Sequence, residues 1–138
     1  MIIDGTNLIM GRMANIIAKK ALEGETVIVV NCENVIITGP KLSLFAHFKE
    51  RSDKGDPYHG PIYPKMADRI VRRSVRGMLS YKKPRGAAAY NRVMCYLGVP
   101  EKYANEKFET IESANAKKLK TLNYAKLKDI SHYLKNKE

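Results

Sequence analysis

Apolar positions near the start of the chain recur with the rhythm of a helix. After the short apolar run Ile2-Ile3-Asp4 and Gly5, residues Met10, Met13, Ala14, Ile17, Ala18 and Ala21 follow one another at spacings of three and four. They form one apolar stripe, which predicts a helix from Met10 that Gly24 closes. Next comes Thr26-Val27-Ile28-Val29-Val30, apolar and mostly β-branched, the pattern of a strand buried on both faces in a parallel sheet. Strand, helix and strand in about 30 residues make a βαβ unit with a right-handed crossover. The alanines in the helix stripe let that helix sit close to the sheet.

The same reading extends along the chain. Val35–Thr38 is a β-branched run cut off by Gly39-Pro40, a short strand. Leu42–Phe48 predicts a short helix with Leu44, Phe45 and Phe48 inward. Lys49–Lys65, with three prolines and two glycines, has no periodicity and reads as a long loop. Met66–Leu79 is a helix, Ala87–Met94 another, and Met94–Leu97 a strand stopped by Gly98. Phe108–Ile111 predicts a short strand. Tyr124, Leu127, Ile130 and Leu134 share one face of a C-terminal helix, within a helical segment at about 121–136. The length of 138 residues favours a single domain spanning 1–138.

Charge changes this picture more than composition does. The net charge is +11, and it is not spread evenly. Residues 1–64 carry seven basic and seven acidic side chains, whereas residues 65–92 carry nine basic and one acidic. On a helix over 66–79, Arg69, Arg72, Arg73 and Arg76 fall on one face, and Ile70, Val71, Val75, Met78 and Leu79 on the other. Four like charges at these spacings repel by a few tenths of a kcal/mol per pair, and Asp68 is the only local acid. Such a face makes sense opposite a dense anion, and guanidinium groups suit phosphate forks and base stacking. Lys82, Lys83 and Arg85 continue the patch through a turn, and Arg92 adds to it from the next helix. The loop at 49–65 brings Lys49, Arg51, Lys54 and Lys65 with the rings of Tyr58, His59 and Tyr63, a composition suited to ordering against RNA. The reading is a nucleic-acid surface with no metal, no cofactor and no small-molecule substrate.

Other chemistries find less support. The βαβ start invites a nucleotide-binding α/β enzyme, yet Gly5 and Gly11 do not make G-x-G-x-x-G and no P-loop exists. His47, His59 and His132 lack metal-ligand spacing with each other or with Cys32 and Cys95. The two cysteines read as buried small apolar residues in a reduced compartment, not as a disulfide. The first residues show no signal-peptide pattern, and no apolar run spans a membrane. A free RNA-binding regulator is the other alternative.

Five stretches then carry a resemblance: "IMGRMA" (Ile9–Ala14), "VVNCENVIITG" (Val29–Gly39), "VRGML" (Val75–Leu79), "KKPRG" (Lys82–Gly86) and "YLGVP" (Tyr96–Pro100). In order and spacing they resemble the ribosomal protein thirteen family of the large subunit, in its archaeal and eukaryotic style, with a length closer to the archaeal members. The resemblance implies a three-layer α/β/α fold with a four-stranded, mainly parallel sheet. It implies a cytoplasmic, ribosome-bound structural protein that contacts large-subunit ribosomal RNA and neighbouring large-subunit proteins, supports subunit assembly and catalyses nothing. The family's Gly-Arg pair falls on Gly11-Arg12, which makes Arg12 a further RNA candidate. Ser80-Tyr81 depart from the Pro-His of many relatives, with Tyr81 expected to keep a ring for stacking. Cys32 and Cys95 stand where Ala and Val are more usual.

Overall fold

A computed structural model describes residues 1–136; the last two residues of the span 1–138 lie outside the described ones. The elements run β1 (Ile2–Asp4), α1 (Met10–Leu22), β2 (Val27–Val30), β3 (Ile36–Thr38), α2 (Lys41–Asp53), α3 (Ala67–Gly77), α4 (Pro84–Asn91), β4 (Val93–Cys95), β5 (Tyr124–Lys126) and α5 (Leu127–Lys135). The fold is α/β. Its main sheet has three parallel strands in the order β1-β2-β4, with Ile3 opposite Val29 and Val29 opposite Cys95. A second, two-stranded sheet pairs β3 with β5 antiparallel, Ile37 facing Ala125.

Of the four strands expected in one sheet, three pair in parallel, and a separate antiparallel pair lies apart from them. Phe108–Ile111 contributes no strand, only a parallel bridge between Glu109 and Ile3. The α1 stripe behaves as its spacing implies: Met13, Ala14, Ile17, Ala18 and Ala21 are all buried. They join Ile3, Val27, Val29 and Val93 of the sheet and Ile70, Val71 and Val75 of α3 in one core. Burying each of the larger of these side chains contributes about 1.5–3 kcal/mol.

The helix expected over Ala87–Met94 instead runs from Pro84 to Asn91, which puts Arg85 on it and Arg92 just past its end, and the strand after it starts at Val93. Three further boundaries differ for physical reasons. First, α2 continues to Asp53, so Lys49 and Arg51 lie on a helix and the loop begins only at Lys54. Polar i,i+4 pairs, Lys49 with Asp53 at 3.9 Å and Glu50 with Lys54 at 3.1 Å, prolong the helix where apolar periodicity has ended. Second, α3 ends at Gly77, so Met78 leaves the apolar side and is 44% exposed, while Leu79 remains buried. Third, Tyr124–Lys126 is a strand, and the C-terminal helix starts only at Leu127. There Tyr133 stacks on Phe45 of α2, ring centroids 4.8 Å apart.

Both cysteines are free thiols, Cys32 buried and Cys95 half-buried. Cys32 points its Sγ at the Val29 carbonyl, 3.7 Å away. A hydrogen bond with Cys95, together with burial, pushes its thiol far above the ordinary range.

Candidate nucleic-acid interface

The candidate interface is built on α3. Its sequence, ADRIVRRSVRG, buries Ala67, Ile70, Val71 and Val75, and this anchors the helix against α1 and β4. Arg69 is exposed on the other side; Arg72, Arg73 and Arg76 are half-buried. Each of these three lies over a tyrosine ring: Arg72 over Tyr90 at 4.4 Å, Arg73 over Tyr63 at 4.6 Å and Arg76 over Tyr81 at 4.8 Å to the centroid. An exposed cation–π contact of this kind contributes about 0.5–1 kcal/mol.

The choice of partner matters electrostatically. A carboxylate would hold a guanidinium in place but cancel its charge and occupy its in-plane N–H groups. A ring face holds it flat and leaves both charge and N–H edge free. Among the described residues, the basic groups that form ion pairs include Lys20, Lys49, Lys54 and His59. None of the eight arginines does. Asp68, the one acid on α3, sits in its first turn, where a negative charge suits the helix dipole.

Three of the candidate arginines are also tied to main-chain carbonyls of the protein itself, Arg73 to Ile62 and the other two across longer distances in sequence. Arg72 donates through Nε to the Val93 carbonyl at 3.1 Å, which fastens α3 to β4. Arg92 donates through Nη1 to the Ala21 carbonyl at 3.0 Å, near the C-terminal end of α1 where a cation is favourable. Their remaining N–H groups face outward contacts with less freedom than those of Arg69, Arg76 or Arg85.

The basic turn after α3 is clamped. Tyr81 N–H donates to the Leu79 carbonyl at 2.8 Å and Lys83 N–H to the Ser80 carbonyl at 2.9 Å. A Cβ on Gly86 would overlap the Ser80 carbonyl, so glycine lets α4 start directly against the turn. Pro84 opens α4 within its first turn, where its missing N–H costs nothing. Tyr81, Lys82, Lys83 and Arg85 are all exposed, and the helix exit through Ser80-Tyr81 is fixed rather than loose.

From α2, Arg51 reaches the same Tyr63 ring as Arg73, at 6.0 Å, and Arg73 also donates to the Ile62 carbonyl at 3.3 Å. The fold thus brings Arg51, Arg73, Arg76 and Tyr81 around one cleft of about 490 Å³ between α2 and α3. Lys49 and Lys54 are spent on their acidic neighbours. Arg12 is exposed in the first turn of α1, two residues beyond Met10, which lines the cleft. Phe48 and Tyr90 are site residues that sequence reasoning did not single out as contacts, whereas Tyr63 is among the rings of the basic segment.

At the end of β1, where a dinucleotide fold presents phosphate-binding amides, this chain places a carboxylate. Asp4 Oδ1 accepts from Thr6 N–H at 3.0 Å, Thr6 Oγ1 at 2.8 Å and Asn31 Nδ2 at 3.0 Å. Burial works to raise its pKa, but these three hydrogen bonds prevail and hold it below the usual carboxylate value. The N–H of Ile9, before α1, is taken by the Ala114 carbonyl at 2.8 Å. No helix among the described residues is long and apolar enough to cross a membrane.

Comparison with known proteins identifies the family. Residues 1–102 match the family model for ribosomal protein L13. The chain is 43% identical over 134 residues to large ribosomal subunit protein uL13 of Archaeoglobus fulgidus, covering 96% of this chain and 86% of that protein. It is 39% identical over 136 residues to large ribosomal subunit protein uL13 of Methanococcoides burtonii, covering 99% and 98% of the two chains. Against the protein of the same description from Picrophilus torridus the identity is 44% over 117 residues, 85% of each chain. With a family match over most of its length and relatives of this similarity along nearly all of it, the chain belongs to the ribosomal protein L13 family.

Proposed function

We propose that this chain is a non-enzymatic structural component of the large ribosomal subunit in the cytoplasm, acting as one domain on large-subunit ribosomal RNA beside neighbouring ribosomal proteins. One observation carries the reading: eight arginines without a single ion pair among the described residues, half of them on α3. Phosphates relieve the repulsion that the protein's own carboxylates leave in place. The core of α1, α3 and the sheet supplies a rigid backing, so little conformational freedom is lost when RNA binds. Arg69, Arg76, Lys82, Lys83 and Arg85 make the principal phosphate contacts. Arg72, Arg73 and Arg92 add to them from more constrained positions, and Arg12 and Arg51 extend the surface. Held in this way, one protein face ties RNA segments together and supports subunit assembly. The fold that accompanies this role is the three-layer α/β/α form, with a fourth strand position beside β1 supported by the Ile3–Glu109 bridge.

Sucrose-gradient fractionation of cells tests the reading. The chain is expected in the large-subunit and whole-ribosome peaks. A chain confined to the slow-sedimenting fractions contradicts the ribosomal role and favours a free regulator. Thermal stabilisation by millimolar NAD or ATP, expected to be absent, would favour the nucleotide-binding enzyme.

A further inference from the structure

The cleft between α2 and α3 has features that phosphate contact alone does not explain. Its floor is apolar, formed by Ile37, Leu44, Phe48 and Ile70. Its walls are the rings of Tyr63 and Tyr81, and its rim carries Arg51, Arg73 and Arg76. No acidic residue lines it. At about 490 Å³ it falls within the range of small-ligand clefts and is far too narrow for a duplex. A surface meant only for the outside of an RNA helix has no use for an apolar floor behind its arginines.

We infer that this cleft is a socket for one unstacked RNA base, whose flanking phosphates rest on the rim arginines. The inference rests on the RNA-binding reading above and names what that site takes. An occupant must be anionic at the rim and flat and apolar at the floor, which describes a nucleotide turned out of its stack. Single-stranded loops and bulges supply such bases, and proteins receive them on aromatic rings and guanidinium planes. Both kinds of surface are present here: the Arg73 guanidinium lies over the Tyr63 ring at 4.6 Å and that of Arg76 over the Tyr81 ring at 4.8 Å to the centroid. A base entering between these pairs meets a stacking face on either side. Phe48, buried and set edge-on to Tyr63 with ring centroids 6.0 Å apart, closes the floor beneath it.

The test uses the full chain and deproteinised large-subunit ribosomal RNA, with affinity measured across a salt series. Tyr63→Leu with Tyr81→Leu is expected to weaken binding roughly five- to a hundredfold, the range for losing one stacked base. The log–log salt slope is expected to stay as in the unaltered chain, because no phosphate contact is removed. Tyr63→Phe with Tyr81→Phe keeps both ring faces and is expected to bind as the unaltered chain does. Tyr81 is exposed in a turn, so Tyr81→Leu alone keeps the test open if the double variant fails to fold. Unchanged affinity of the Leu variants overturns the socket. So does a slope shallower by one or more, which would make the tyrosines supports for the arginines only. Leu variants that bind RNA normally but fail to enter subunits would assign the cleft to a protein side chain, again overturning the proposal. A slope near zero for the unaltered chain is a different failure, that of the RNA reading itself.

Discussion

The C-terminal end of α2 and the outer side of α3 are both rich in basic residues, yet they are different surfaces. At the end of α2, Lys49 and Lys54 each face an acid one helical turn away, at 3.9 and 3.1 Å. Those pairs are exposed, stabilise the helix by a few tenths of a kcal/mol and leave no net field. On α3, three of the four arginines lie over tyrosine rings, and Arg69 is exposed. The first arrangement uses positive charge locally to lengthen a helix; the second holds positive charge in place without consuming it. Counting basic residues does not separate the two, whereas asking what each cation touches does.

Variants can break this contrast in order of expected effect. The largest should come from Arg69→Glu with Arg76→Glu: the chain is expected to leave the large-subunit peak in a sucrose gradient while circular dichroism and melting stay close to those of the parent. A matched loss of folding would make that face structural. Arg72→Ala and Arg92→Ala should act in the opposite sense, because each guanidinium holds a main-chain carbonyl. Loss of such a charge-assisted bond is expected to cost about 1.5–3 kcal/mol in denaturant unfolding, with most of the RNA affinity kept. The smallest effect is expected for Lys49→Ala with Lys54→Ala: under about 1 kcal/mol in stability, and no shift in subunit association.

Much of this molecule could be read from its sequence, where the signal is periodic. The α1 stripe, the β2 run and the two-sided character of α3 follow from spacings of three and four or from continuous β-branching, and the structure shows each of them. What escaped the reading depends on partners distant in sequence. Tyr124–Lys126 fits a helix by its apolar spacing, but pairing with Ile36–Thr38 draws it into a strand. Lys49 and Arg51 looked like loop because prolongation of α2 rests on charge pairs, not on apolar periodicity. Arg72 and Arg92 looked like two more members of a basic patch, because nothing local reveals the carbonyls of Val93 and Ala21, 21 and 71 residues away. The cleft was hidden for the same reason, as its floor and walls come from α1, β3, α2, α3 and the segments beside them.

The central claim is that the uncompensated arginine side of α3 and its basic turn meet RNA through phosphates. The most direct test is the salt dependence of binding to large-subunit ribosomal RNA, measured for the parent chain and for Arg69→Gln with Arg76→Gln and Arg85→Gln. About six phosphate contacts predict a log–log slope of roughly −4 to −5 for the parent. The triple variant should be shallower by about one for each arginine removed. A parent slope near zero, or a triple variant with the parent's slope, would contradict the account.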